Sequence, residues 1–134
     1  MKCLVDTNIF LEIILDQAQA QSAKEFLSRA EDYDLYISDY SLHSIGLILF
    51  RRKKYDVFQE FLDDMLIRGN VAVVSLPVDK LMTVGTAAKK YNLDFDDAYQ
   101  YAIAENQDLA IVSFDADFDR TDRRRLAPSA VSSN

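Results

Sequence analysis

The stretch DFDDAYQYAIAENQDLAIVSFDAD, residues 94–117, decides the fold. Asp94 fits a helix N-cap, and Asp97 fits the third helical position, where an acid complements the helix dipole. Ala98, Tyr99, Ala102 and Ile103 then recur at helical spacing. Ala110–Ser113, AIVS, is short, β-branched and apolar, which predicts a buried strand. Directly after it come Asp115, Asp117 and Asp119. A helix that feeds a buried strand, whose far end opens on acids, is a unit of an α/β sheet.

Outward from there the same alternation repeats. Lys2–Asp6, KCLVD, predicts a first buried strand, with a short helix over Asn8–Leu15. Gln19–Ala30 carries Ala23, Phe26, Leu27 and Ala30 on one helical face. Leu35–Ser38 reads as a second strand, with Asp39 or Ser41 capping a helix to about Arg52. Val57, Phe58, Phe61, Leu62 and Met65 form the stripe of the next helix, which Gly69 can end. Val71–Leu76 predicts a strand, and Leu81, Val84, Ala88 and Tyr91 a helix. Short, nearly continuous apolar strands separated by helices predict a mostly parallel sheet covered on both faces. Right-handed crossovers then place a ligand site beyond the carboxyl ends of the strands.

Only three glycines and two prolines occur, with no linker-like tract, so residues 1–126 read as one domain. Ala127–Asn134 is small and polar and reads as a flexible tail. No apolar run reaches the roughly 18–20 residues of a membrane helix, and MKCLVDTNIF does not read as a signal peptide. One cysteine, Cys3, gives no disulfide framework, so a cytoplasmic setting is the default. With a single histidine as well, a zinc finger is excluded. Asp and Glu number 22 against 15 Lys and Arg, a net charge of −7. Taken alone, that argues against a nucleic-acid partner.

Three separated segments deliver carboxylates to one edge of the sheet: Asp6 after the first strand, Asp94–Asp97 at a helix start, and Asp115 with Asp117 after the last strand. Each has a bland reading. Asp6 reads equally as a helix cap, Asp94 reads best as one, and Asp115 and Asp117 fit turn formers. Together they are harder to explain, because gathered like charges repel and raise one another's pKa unless a cation neutralises them. Carboxylates suit the hard ions Mg²⁺ and Mn²⁺. An ion so held acts on phosphodiesters by activating water and offsetting charge on the leaving oxygen. There is no Gly-rich phosphate loop, and a Ser-His-acid triad would need His43, which lies in a helix-like run.

Asp6-Thr7-Asn8 after an N-terminal strand, Asp97-Ala98 opening a helix, and Ser113-Phe114-Asp115-Ala116-Asp117-Phe118 after the last strand together resemble the PIN domain. The nearest likeness is to the small toxin ribonucleases of VapBC-type toxin–antitoxin pairs, over roughly residues 1–120. The resemblance implies a three-layer α/β/α sandwich around a mostly parallel sheet and metal-dependent cleavage of RNA. It implies that Asp6, Asp97 and Asp115 hold Mg²⁺ or Mn²⁺, with Asp117 as a further ligand or a supporting acid. Asn8 would orient Asp6 or a water, and Ser113 stands where the family often has a threonine. It also implies a homodimer and an antitoxin protein as partners, besides RNA. The family's usual helix glutamate falls near Ser44, where ISDYSLHSIGL has no acid. That leaves either a three-acid enzyme or a degenerate module that binds RNA or a protein without cutting. A haloacid-dehalogenase-like phosphatase ranks last, because Asn8 stands where its second aspartate belongs.

Two basic runs offset the acidity. Arg51-Arg52-Lys53-Lys54 closes one helix and reads as a solvated face with favourable C-terminal charge. Arg120 with Arg123, Arg124 and Arg125 follows the last acidic turn, where arginine forks suit the phosphates of RNA.

Overall fold

The strands are short and hold together only as a layer. In the computed structural model, which describes residues 1–131, β1 is Lys2–Val5, β2 Asp34–Ser38, β3 Ala72–Val74 and β4 Ala110–Val112. All pair in parallel in the order β3-β2-β1-β4. Leu4 of β1 stands between Tyr36 and Ile111, while Cys3 pairs with Leu35 and Val5 with Val112. Alternate side chains therefore face opposite sides of the sheet.

Each face is covered. Cys3, Val5, Leu35, Ile37 and Val112 pack with Ile9, Phe10, Ala23, Phe26, Ile45, Leu49 and Phe61. These come from α1 (Thr7–Ile14), α2 (Ala20–Leu27), α3 (Asp39–Arg51) and α4 (Tyr55–Phe61). Leu4 and Ile111 pack on the other side with Val84, Ala87, Ala98, Ala102 and Ile103, from α5 (Met82–Tyr91) and α6 (Phe95–Gln107). Burying one such large side chain contributes roughly 1.5–3 kcal/mol. The two apolar layers thus outweigh the weak pairing of three- to five-residue strands. This is the three-layer α/β/α sandwich that the sequence predicts, with every described strand parallel. No helix among the described residues is long and apolar enough to cross a membrane.

Helix ends explain how the edge of the sheet is built. Asp6 caps α1 by accepting from Thr7 N at 2.7 Å. Ser38, not Asp39 or Ser41, caps α3 by accepting from Ser41 N at 2.9 Å. Asp94 caps α6 as the sequence predicts, accepting from Asp97 N at 3.2 Å. Both α1 and α3 start directly after a strand's carboxyl end. Helix α6 ends just before β4 begins, so its first turn also lies toward those carboxyl ends.

Three expectations are corrected. The stripe at Val57–Met65 is not one regular helix, since α4 passes into a wider π-helical stretch at Leu62–Ile67. The left-handed residue beyond it is Asn70, with φ 59°, not Gly69. Gly69 is needed for space, because a Cβ there would lie 2.5 Å from the Asp64 carbonyl. Ala127–Val131 is not a loose tail. Pro128–Ala130 forms a 3₁₀ turn, Val131 is 2% exposed in the core, and its carbonyl accepts from Arg29 Nη1 at 3.2 Å. The rest of that expected tail, 132–134, lies outside the described residues.

Candidate functional site

The carboxyl ends of β1 and β4 are neighbours, so Asp6 and the loop after Val112 meet. Asp6 is 5% exposed and is held by three donors. Its Oδ1 accepts from Thr7 N and from Gln100 Nε2, both at 2.7 Å, and its Oδ2 accepts from Ser113 Oγ at 2.6 Å. Ser113 Oγ in turn accepts from Asn8 Nδ2 at 3.2 Å and from Asp115 N at 2.9 Å. One hydroxyl thus links Asp6, Asn8 and the Asp115 loop. Asn8 reaches Asp6 through Ser113 and also accepts from Phe114 N at 3.4 Å.

Asp115 Oδ1 accepts from Asp117 N at 2.9 Å, which turns the chain back so that both side chains face α6. One carboxylate oxygen from each of Asp97, Asp115 and Asp117 lies within 4.8 Å of the others. A second such group, Asp94, Asp96 and Asp97, shares Asp97. Asp6 belongs to neither group. The resemblance implies Asp6, Asp97 and Asp115 as ligands with Asp117 as a further one; Asp97, Asp115 and Asp117 lie within 4.8 Å of one another, and Asp6 lies outside that group.

The electrostatics match this crowding. Asp97 is 4% exposed, and burial plus Asp96, Asp94, Asp115 and Asp6 push its carboxyl up to about 8. Burial and Asp94 push Asp96 up to about 7. Burial also raises Asp6, against its three donors. Asp94 is lowered, chiefly by its hydrogen bond with Asp96. An all-oxygen set of crowded acids, one of them buried, fits a hard divalent cation.

Other expected residues fall elsewhere. Ser44 is half-buried in α3, and its side chain makes no hydrogen bond among the described residues. Ser41, one turn closer to the site, is the α3 residue that joins it. Its Oγ accepts from Thr7 Oγ1 at 2.7 Å and Ser38 Oγ at 3.0 Å, and donates to Gln100 Oε1 at 3.4 Å. Gln100 was missed. It is wholly buried, and its signal was a lone amide three residues after Asp97 in a run of small and aromatic residues.

The arginines expected to bind phosphate are engaged by the protein itself. Arg120 donates to the Tyr91 and Asn92 carbonyls at 3.1 and 2.7 Å, closing the end of α5, and lies 3.4 Å from Asp117. Arg125 donates to the Ser113 carbonyl at 3.2 Å and lies 3.4 Å from Asp119. Arg123 binds Glu105, Asp108 and the Leu109 carbonyl at 2.8, 2.9 and 3.1 Å. With exposed Arg124 it lines a cleft beside Met1 and Lys2, at the amino ends of the strands and away from the acids.

Known structures share this arrangement of chain. A toxin–antitoxin complex from Klebsiella pneumoniae superposes with a TM-score of 0.73 at 20% identity, covering 96% of this chain and 99% of that one. VapC20 of Mycobacterium tuberculosis, a Sarcin-Ricin loop cleaving toxin, gives 0.76 at 17% identity over 94% and 99%. VapBC2 of Rickettsia felis, bound to a DNA fragment from its promoter, gives 0.75 at 17% over 93% and 96%. No curated protein matches the chain by sequence. The PIN domain family model matches residues 3–124, from the second residue of β1 through β4, and takes in every acid of the site. With nearly the whole chain inside that match and the fold agreeing, the protein belongs to the PIN domain family.

Proposed function

We propose that the chain is a Mg²⁺- or Mn²⁺-dependent endoribonuclease, the toxin of a toxin–antitoxin pair. The observation that carries the reading is the crowding of Asp97, which is 4% exposed, by Asp115 and Asp117 within 4.8 Å. Its fold neighbours support the rest, since they include a toxin–antitoxin complex and a toxin that cleaves the Sarcin-Ricin loop. RNA is then the substrate, an antitoxin protein and a second copy of the chain are the partners, and the setting is cytoplasmic.

Asp97, Asp115 and Asp117 are the residues that would hold the ion. A bound divalent ion supplies activated water and offsets negative charge on the leaving oxygen of a phosphodiester. Asp115 has one oxygen committed to Asp117 N, which leaves the other for a ligand. Ser113 fixes the Asp115 backbone and Asp6 at once, so the loop is set before any ligand arrives. Asp6 adds negative field from behind. Asp96, grouped with Asp94 and Asp97, is the nearest candidate for a further carboxylate.

The test is cleavage of single-stranded RNA by purified protein with Mg²⁺ or Mn²⁺. Cleavage is expected to stop with EDTA and in Asp97→Asn, and cutting that survives both refutes the reading. A second reading, a PIN-like module that binds RNA or protein without cutting, is favoured by Ser44 standing where the family's glutamate is expected. Metal binding with no cleavage of any RNA would support it.

A further inference from the structure

Phe95 is the first residue of α6, and it is 62% exposed. Nothing in the core requires an aromatic ring there. One face of the ring stacks on Tyr99, one turn along, with centroids 5.9 Å apart and planes at 15°. Tyr40, at the start of α3, meets Phe95 edge-on at 6.1 Å and leans on Tyr99 at 6.4 Å. Tyr99 is itself fixed: its hydroxyl donates to Asp39 Oδ1 at 2.8 Å and accepts from Leu76 N at 3.1 Å. The Phe95 ring is therefore backed by a held ring on one side and open to solvent on the other.

This aromatic group stands at the rim of the acidic site. Phe95 shares the first turn of α6 with Asp96 and Asp97, so its ring stands at the same helix end as the acids, with Asp97 about 200° round the helix from it. Burial, together with the charges of Asp96, Asp94, Asp97 and Asp6, raises the Tyr40 hydroxyl's pKa, which places that ring in the same field. Close to the acids the protein offers RNA little positive charge, because Arg120 and Arg125 are bonded internally and the net charge is −7. A contact that needs no charge suits this neighbourhood. A neutral base plane is not repelled by carboxylates, and every base offers a π-face.

We infer that Phe95, backed by Tyr99 and flanked by Tyr40, is a stacking platform for one nucleobase of single-stranded RNA, next to the phosphodiester at Asp97, Asp115 and Asp117. The inference rests on the nuclease reading above. A duplex keeps its bases stacked on one another, so the platform selects unpaired RNA.

The experiment compares Phe95→Ala, Phe95→Leu and Phe95→Trp with wild type. It measures initial rates on a single-stranded oligoribonucleotide and the fluorescence of a 2-aminopurine version bound in Ca²⁺. The residue is exposed, so wild-type melting temperatures are expected throughout. Alanine should raise KM about 5- to 150-fold with kcat nearly unchanged, the loss of one base–aromatic stack. Leucine should fail to restore it, tryptophan should restore it, and quenching of 2-aminopurine should vanish in the alanine and leucine variants. An unchanged KM in an alanine variant, beside an active wild type, overturns the platform and leaves the nuclease reading standing. So does a change from dimer to monomer by light scattering in Phe95→Ala with KM unmoved, which would make Phe95 a contact between copies. A wild type that neither binds nor cuts RNA with metal overturns both.

Discussion

Gln100 Nε2 donates to Asp6 Oδ1 at 2.7 Å, wholly inside the protein, and so ties the middle of α6 to the end of β1. The other end of the same amide accepts from Ser41 of α3. One side chain therefore sets the spacing of three elements that meet at the site. Replacing it by methionine, of similar shape, leaves the buried Asp6 carboxylate one donor short. Gln100→Met should destabilise the protein by about 1–3 kcal/mol, measured by urea denaturation. A change below about 0.5 kcal/mol would show that the amide is dispensable.

The raised Asp97 and Asp96 carboxyls make the metal-free protein sensitive to pH in a defined direction. Both hold protons in the folded state at pH values where the unfolded chain has lost them. The folded state thus binds more protons, and stability falls as pH rises from about 4 to about 8. The melting temperature of EDTA-treated protein should drop by several degrees between pH 5 and pH 8.5, and Asp97→Asn should flatten the drop. A melting temperature that rises across this window in EDTA would contradict these assignments.

Metal binding should release protons for the same reason. At pH 7, Mn²⁺ calorimetry in buffers of different ionisation enthalpy should show net proton release. Asp96→Asn should weaken Mn²⁺ binding roughly ten-fold, a difference of about 1.4 kcal/mol. Equal affinity would remove Asp96 from the site.

Much of the site's position was legible because it follows from local chemistry. Asp94 announced a helix start by spacing alone, and the apolar runs at Cys3–Val5 and Ala110–Val112 could only be buried strands. Given parallel strands, Asp6, Asp97 and Asp115 had to share one edge. What escaped was set by contacts distant in the chain. Arg123 looks free in sequence, yet Glu105, Asp108 and the Leu109 carbonyl engage it across the turn from α6 to β4. Val131 sits in a polar-looking tail, yet it fills the core beside α2. Gln100 shows no motif, because its meaning comes from Asp6, 94 residues away. Asp117, named from sequence as a further ligand, joins Asp97 and Asp115 because the Asp115–Asp117 turn bends it inward, a geometry that spacing does not specify.

Arg123→Ala should therefore act on stability and not on RNA. Its partners Glu105 and Asp108 are largely exposed, so the loss should be about 1 kcal/mol in denaturation. KM for single-stranded RNA should stay within about two-fold. A large rise in KM with unchanged stability would return this arginine to the substrate path.

Val131→Asp places a charge in the apolar layer against α2. It should cost several kcal/mol and lower the melting temperature by more than about 10 °C. Wild-type melting would show that the segment from Ala127 is not docked in solution.

The nuclease reading requires Asp97, Asp115 and Asp117 together to hold a divalent ion. The most direct measurement is anomalous diffraction from crystals soaked in Mn²⁺ at pH 8, where the raised carboxyls are deprotonated. The expected result is one Mn²⁺ peak within about 2.0–2.3 Å of an oxygen from each of Asp97, Asp115 and Asp117, lost in Asp97→Asn. A site with no peak at millimolar Mn²⁺, or a peak bound by other residues, would contradict the claim.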